Sequence, residues 1–385
     1  MIHRFGLMGL SLKDANKGCE ALTFTFLRIL LNIYKKEELE IICITKQDQL
    51  GLIRKNFPEL NIRCSIFNIY SIKSWISTYN VICTCDAVFD GSYGDGFTGI
   101  YGFQRNVVQI MRKQIVYWAH RPLFLLPQTY GHYKPLLVNW SEWIINNSAL
   151  AYARDDTAKL IKGNHVRTTA DMAFLLPYEK NKFEISHSCV NIGINVSSLL
   201  WDKNTNKQFG LTVDYQKFYY DLISYLVGIG GCHIHLIAHV VDKDHFEATE
   251  NDYRICCELK EKFGNDVVLA PAFEDAISAK SYIANMDFFL GSRMHSTIAA
   301  FSSRVVTIPF SYCHKFEALY YNLQYPYVIP ATKKTTDEAL IMFKEWFNNP
   351  QPLKDQAAKS LSLALKRLDS FQLNLREVLV AQKLL

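Results

Sequence analysis

The feature that most constrains this chain is a repeated alternation of two patterns. Short, continuous apolar runs rich in β-formers are each followed by a longer amphipathic stretch. "HRFGLMG" at 3–9 reads as a strand; a helix follows from about Cys19 to Lys35, with Leu22, Phe26, Ile29, Leu30 and Ile33 at spacings of three and four. "LEIICIT" (39–45), "IRCSIFNI" (62–69) and "NVICTCDAVFDG" (80–91) read as further strands. A helix near 103–119 leads to "PLFLLPQTYG" (122–131), and another at 135–147 leads to "ALAYARD" (149–155). A strand that is apolar along its whole length has no face to show water, so it needs cover on both sides. Strands alternating with helices therefore predict βαβ units and a mostly parallel sheet.

The alternation pauses over the polar, aperiodic "LLPYEKNKFEISHS" (175–188) and then restarts. "CVNIGINVSS" (189–198), "CHIHLIAHV" (232–240), "DVVLAP" (266–271), "MDFFLGSR" (286–293) and "VVTIPF" (305–310) read as strands, with helices near 214–228, 247–263, 274–285 and 294–302. From about Pro352 the tail is helical, with Leu361, Leu365, Leu368 and Phe371 on one stripe. A length of 385 residues suits two domains. The expected fold is α/β, with two Rossmann-like lobes at 1–180 and 181–350, mostly parallel sheets, and a helical tail at 351–385. Ligands of such sheets bind beyond the C-terminal strand ends, so chemistry is expected in the loops leaving them and in a cleft between the lobes.

Composition narrows the function classes. Apolar residues make up 49% and charged residues 21%, which excludes a disordered or collagen-like chain. The net charge of +5 is too mild and too evenly spread to argue for nucleic acid; it suits an anionic small substrate or an acidic membrane surface. The ten cysteines contain no C-x-x-C pair and sit mostly in apolar runs, as buried reduced thiols do. The start turns polar too early for a signal peptide, and no run reaches about 18 uncharged apolar residues. The expected location is cytoplasmic, with peripheral contact at the inner face of the cell membrane compatible with the charge and the aromatic content.

The strongest local constellation is "DFFLGSRMHSTIAAF", where a strand ends, Gly291 and Ser292 turn the chain, and a helix starts near Met294. Helix starts present unpaired N–H groups and a positive dipole end, and Arg293, His295, Ser292 and Ser296 surround this one, which suits a phosphate or carboxylate. An external salt bridge for Arg293 and a capping or core role for His295 are the structural alternatives. Arg154, before Asp155 and Asp156, stands at a second strand–helix junction; the acids there suit a helix cap. "DANKGCEAL" places Asn16, Gly18 and Glu20 between a strand and a helix, as a backbone cradle or a plain connection. "FDGSYGDGF" matches neither the P-loop nor the dinucleotide fingerprint, and its Asp90, Tyr93 and Asp95 suit sugar hydroxyls. His239 and the trio Tyr312, His314 and Lys315 follow strands. His233, His235, His239 and His245 lack a carboxylate at ligand spacing, so no metal is expected.

Taken together, "NKGCEAL", "DAVFDGSYGDG", "ALAYARDDTAKLI", "LIAHV", "SYIANMDFFLGSRMHSTIAAF" and "YCHKFEAL" resemble, in this order, the polysaccharide pyruvyl transferases. The likeness spans about residues 9–325, and its most specific part is G-S-R-x-H-x-x-I-A-A with the downstream Lys315-Phe316 pair. It implies a GT-B-like architecture and transfer of pyruvate from phosphoenolpyruvate to a sugar as a ketal, with phosphate released. Phosphoenolpyruvate is then a co-substrate, and no other cofactor is implied. It places function on Arg293 and His295, on Arg154 and on Lys315. Cys19 stands where the family commonly has an acid, and Gly91-Ser92 where it often has two glycines. On this reading Arg293 and the helix start hold phosphate, Arg154 holds the carboxylate, His295 is the acid/base, and Asp90 or Asp95 activates the acceptor hydroxyl. The expected partners are phosphoenolpyruvate and a sugar or lipid-linked oligosaccharide acceptor of surface polysaccharide synthesis. Two other functions stay open: a GT-B glycosyltransferase using a sugar nucleotide, and a non-catalytic glycan-binding protein.

Overall fold

The computed structural model describes residues 2–11, 15–46, 50–202, 206 and 208–385. They form two compact units. The first comprises residues within 1–14, 22–172 and 364–385, and the second 15–21 and 173–363.

The first unit is a parallel sheet of β1 (His3–Met8), β2 (Leu39–Thr45), β3 (Asn61–Ile66), β4 (Ala87–Asp90), β5 (Leu123–Gln128), β6 (Leu150–Ala153) and β7 (Arg167–Thr168). Between them run α1 (Lys17–Ile33), α2 (Leu50–Asn56), α3 (Ile72–Cys83), α4 (Phe103–Trp118) and α5 (Val138–Asn146). The strand order is β3-β2-β1-β4-β5-β6-β7. The chain first builds outward from β1 on one side, then returns to build from β4 on the other. β4 and β5 are buried along their whole length, as the unbroken apolar runs required. The C-terminal residues pack on this unit: Phe371 meets Tyr152 edge-on at 5.0 Å, and the Tyr34 hydroxyl donates to the Leu384 carbonyl at 2.7 Å.

The second unit repeats the plan. Its strands are β8 (Val190–Asn195), β9 (Cys232–Leu236), β10 (Val267–Leu269), β11 (Phe288–Gly291), β12 (Val306–Ser311) and β13 (Ile329–Pro330). The order β10-β9-β8-β11-β12-β13 has the same reversal, here between β8 and β11. The helices are α6 (Ser198–Trp201), α7 (Tyr215–Ile229), α8 (Asp252–Phe263), α9 (Ala276–Ile283), α10 (Met294–Ser302), α11 (His314–Asn322), α12 (Thr336–Asn348) and the start of α13 (Gln351–Ala381), whose residues from Ala364 on belong to the first unit. Four of their starts are capped by short polar side chains. Asp214, Asn251, Asp275 and Thr335 each accept a backbone N–H of the first turn, and Thr335 forms a capping box with Glu338.

The two-sheet α/β fold is the expected one, but several elements differ from the sequence reading. Residues 80–83 finish α3, and the sheet resumes only at Ala87. "NVICTC" has strand composition, yet Ser71 caps a helix whose inner face carries Thr78 and Ile82. β9 stops at Leu236, where its ladders with both β8 and β10 end. α8 starts at Asp252 rather than near 247, and α11 and α12 form where no helix was expected.

One buried lysine braces the second unit. Lys280 on α9 donates to the carbonyls of Leu176 at 2.7 Å and Phe174 at 3.3 Å, and forms no ion pair among the described residues. Burial lowers its pKa from 10.5 to about 7. The folded chain therefore releases a proton that the unfolded chain keeps until pH reaches the ordinary lysine range. The penalty is present in full below about pH 7 and disappears as pH rises toward 10.5. Stability should rise through that window by up to about 1.4 kcal/mol per pH unit. Lys280→Met should flatten the slope, read by urea unfolding of both proteins at about pH 7.5 and about pH 9.5.

Candidate functional site

In the second unit, the strand-order reversal brings the ends of β8 and β11 side by side. Asn195, the last residue of β8, ties the turn after β11 in place. Its Oδ1 accepts the Arg293 N–H at 3.0 Å and the Ser296 hydroxyl at 2.8 Å, while its Nδ2 donates to the Ile237 carbonyl at 2.9 Å. Ser292 shares a hydrogen bond with the Tyr219 hydroxyl at 2.7 Å. The Ser292 and Ser296 hydroxyls are thus spent on the turn. Arg293 is the N-cap residue of α10 and brings no side-chain cap.

The Arg293 guanidinium is anchored by Asp252, the fully buried first residue of α8. Nη2 approaches Asp252 Oδ1 at 2.9 Å, and Nε lies 3.2 Å from Oδ2. The same carboxylate accepts the Ser198 N–H at 2.9 Å, the Ser198 hydroxyl at 3.1 Å and the Val240 N–H at 3.0 Å. One carboxylate thus joins loops leaving β8, β9 and β11. Burial alone would lower the Arg293 pKa; the Asp252 carboxylate outweighs it and holds the guanidinium above its ordinary value. No hydrogen bond among the described residues uses Arg293 Nη1.

The segment 15–21 completes this site. Asn16 bridges Val240, and the Lys17 N–H donates to the His239 carbonyl at 3.0 Å. Lys17 Nζ reaches Glu20 Oε1 at 3.1 Å and the Glu274 carbonyl at 3.2 Å, and Glu20 Oε2 accepts the first N–H of α9 from Ala276. Gly18 lies against His295: a Cβ at position 18 would stand 2.3 Å from the His295 Nδ1. His239 is buried, and its Nδ1 has no hydrogen-bond partner among the described residues. Burial and the positive charges of His295, Arg293 and Lys17 push the His239 pKa well below the ordinary histidine range, so its ring is neutral near neutral pH. Tyr312 lies close enough to act on the Arg293 charge, and Lys315 is half-buried on α11. Asp14, the first residue of the "DANKGCEAL" motif, lies outside the described residues.

The first unit gathers the remaining candidates at the ends of β4, β5 and β6. Asp90 is fully buried; its Oδ1 accepts the Ser92 hydroxyl and lies 3.2 Å from Lys113 Nζ. Burial lowers the Lys113 pKa to about 8, against the pull of Asp90. Ser92, Tyr93 and Gly94 follow with φ of 44, 55 and 85°. Left-handed backbone at Ser and Tyr costs about 1–2 kcal/mol each. Gly94 is required for a second reason, since a Cβ there would stand 2.7 Å from Arg154 Nη1. Asp95 is half-buried and accepts the Tyr101 hydroxyl at 2.7 Å. Arg154 is buried, with Nη1 2.8 Å from Asp171 and Nε donating to Thr129 at 3.1 Å. Burial alone would lower its pKa, but the carboxylates of Asp171, Asp95 and Asp155 raise it. Asp155 caps the 3-10 turn that follows β6.

The structure thus brings Asn16, Gly18, Glu20, His239, Ser292, Arg293, His295, Ser296 and Tyr312 to one end of the second sheet. Asp90, Tyr93, Asp95 and Arg154 belong to the first. The residues missed from sequence are Asp252, Asn195, Lys17 and Lys113. Asp252 carried a faint signal, as an Asn-Asp pair ahead of an amphipathic run; Lys113 carried one as a lysine among apolar positions of α4. His235 is held by Tyr282 and Asn191 at 2.8 and 3.0 Å, and burial lowers its pKa to about 4. Among the described residues, no three His, Cys, Asp or Glu side chains form a metal set, and no helix is long and apolar enough to cross a membrane.

Two substitutions test this geometry. Asp252→Asn leaves the Arg293 charge buried without its counter-charge and should destabilise the second unit by about 3–5 kcal/mol, seen as a lower urea midpoint. Gly18→Ala gains helix propensity of about 1 kcal/mol but clashes with the His295 ring. The expected outcome is displaced His295 ring resonances in a nitrogen–proton correlation spectrum, with cooperative unfolding retained.

No curated protein sequence matches the chain significantly. Among solved structures, Anabaena Alr3699/HepE in complex with UDP is 10% identical, with 99% of this chain and 100% of that chain covered at a TM-score of 0.60. UDP-GlcNAc 2-epimerase from Neisseria meningitidis, bound to UDP-GlcNAc, is 10% identical, with both chains covered to 100% at 0.59. The S. aureus MnaA–UDP structure is 13% identical, with 94% of this chain and 91% of that chain covered at 0.60. At these identities the likeness is one of fold, a GT-B-like pair of Rossmann-like units. A family profile goes further. The profile described as polysaccharide pyruvyl transferase matches residues 16–314, from the segment against His295 through the whole Arg293 turn, and the chain belongs to that family.

Proposed function

We propose that this protein transfers the pyruvyl group of phosphoenolpyruvate to two hydroxyls of a glycan, forming a ketal and releasing phosphate. The observation that supports the reading most is the gathering of Arg293, His295, His239 and Lys17 around the start of α10, in a chain of this family. A compact trianion needs fixed cations and N–H donors in a site that limits water competition. Arg293 Nη1 and the helix start take the phosphate, with Lys315 adding charge. His239, neutral and with an uncommitted Nδ1, hydrogen-bonds the donor.

The chemistry balances without a further reactant. His295 delivers a proton to the methylene carbon, which becomes the methyl group, and positive character develops at C2. A sugar hydroxyl adds to C2, the C2–O bond to phosphate breaks, and the neighbouring hydroxyl closes the ketal. One hydroxyl proton replaces the proton given by His295, and the other leaves with phosphate. In this reading phosphoenolpyruvate is the co-substrate and no cofactor takes part. Arg154, in the first unit, keeps Nη1 on Asp171 and has an Nη2 that no described residue engages, a donor for an anionic group. Asp95 is the half-buried acid of its pair and becomes the acceptor base; Asp90, fully buried beside Lys113, supports the strained turn. The acceptor is a sugar or lipid-linked oligosaccharide of surface polysaccharide synthesis, met on the cytoplasmic side.

Incubation with phosphoenolpyruvate and candidate glycans should release phosphate and add pyruvate mass to the glycan. His295→Ala should lower turnover by about 10²–10⁴-fold. Arg293→Lys, which keeps a charge beside Asp252, should weaken phosphoenolpyruvate binding more than it weakens folding. Consumption of sugar nucleotides without phosphoenolpyruvate overturns the reading.

A further inference from the structure

Helix α3 packs Ile82 and Trp75 against the core but also carries large apolar side chains on its outer side. Thr78 faces the core at 2% exposure, while Ile72 is 79% and Ile76 56% exposed. With Tyr79 these make an i, i+4, i+7 stripe on the outer side. Tyr70, 91% exposed, and Ile66 at the end of β3 extend the apolar surface. An apolar surface of this kind on a soluble face marks a partner.

Charge narrows the partner. No acidic residue lies between Glu59 and Asp86, whereas Arg63 and Lys73 do. A groove of about 560 Å³ runs between β3 and α3, lined by Arg63, Lys73, Ile76, Ser77, Asn80 and Thr84 among others. Glu40 is the carboxylate bound to Arg63, at 3.1 Å, and it is shared with Arg4 at 2.7 Å, so the local balance stays positive. Exposed isoleucines and tyrosines beside two cations match a lipid surface: the rings and branched chains enter the headgroup boundary, and the cations meet phosphates. A symmetric contact with a second copy would instead gather both copies' Arg63 and Lys73 into one interface.

We infer that the α3–β3 face of the first unit docks on an anionic lipid surface, with Arg63 and Lys73 of the groove engaging a lipid phosphate. The inference rests on this surface alone and needs no particular reaction.

The full-length chain is floated with vesicles of phosphatidylcholine, and of phosphatidylcholine with phosphatidylglycerol, at low and high salt. The expected result is recovery with the anionic vesicles only, falling as salt screens the charges. Both Ile72→Ser/Ile76→Ser and Lys73→Glu should cut the recovered fraction by about fivefold or more. These side chains are exposed, so thermal unfolding should be nearly unchanged and a binding loss is then not a folding loss. Wild-type protein that floats with neither vesicle, floats equally with both, or floats as well after the substitutions overturns the inference. So does a dimer in sedimentation that Ile72→Ser/Ile76→Ser converts to monomer, which would assign the face to a second copy. The assay contains neither phosphoenolpyruvate nor glycan, so failure here and failure of pyruvyl transfer are read separately.

Discussion

A parallel sheet covered on both faces has few places where polar, irregular chain can collect. Its strands are buried and its helices pack on them, so the loops at the C-terminal strand ends carry what regular structure cannot. Both units of this protein obey that constraint, and both reverse strand order at the fourth strand in sequence. At a reversal, consecutive loops diverge to opposite sides and leave room between them. The turn after β11 stands at one reversal, and the strained Ser92–Gly94 turn after β4 stands at the other.

The chemistry at these positions depends on how charge is held. Arg293 and Arg154 are both buried, and an unpaired guanidinium there would be costly. Each is paired with a single carboxylate, Asp252 or Asp171, through one side of its fork, and each keeps one terminal nitrogen outside that pairing. A fork used on one edge is fixed in orientation and still has donors to offer. His239 works by the opposite route. Burial and three neighbouring cations keep it neutral, so it adds hydrogen-bonding capacity without adding charge. In the second unit Arg293 thus sets a fixed cation near a neutral donor–acceptor, His239.

Similar residues acquire different duties from their surroundings. Ser292 and Ser296 flank Arg293 much as a pair of ligand hydroxyls would, but Tyr219 and Asn195 occupy them. Lys113 and Lys280 are both buried lysines. Lys113 has Asp90 to answer its charge, while Lys280 meets two backbone carbonyls and the Tyr178 ring, and burial lowers the pKa of each to a different extent.

Much of this architecture was legible in the residues themselves. The apolar runs, the helical spacing of Leu22, Phe26 and Ile29, and the strand–Gly–Ser–helix passage through Arg293 are local signals, each complete within a few residues. Local propensity and period act over that range, which explains why helix 294–302 was located from sequence alone. The pairing of Asp252 with Arg293 spans 41 residues, and the contact of Gly18 with His295 crosses most of the chain. α3 shows the same limit: the strand-forming composition of "NVICTC" gave no sign that its helix would turn isoleucines outward. Sequence by itself settled most of the strands and helices, though not α3, α11 or α12, and which turns held Arg293 and Arg154. Tertiary structure alone decided which carboxylate, glycine or hydroxyl each cation met, because those partners were chosen by the order of strands in the sheet and not by their neighbours along the chain.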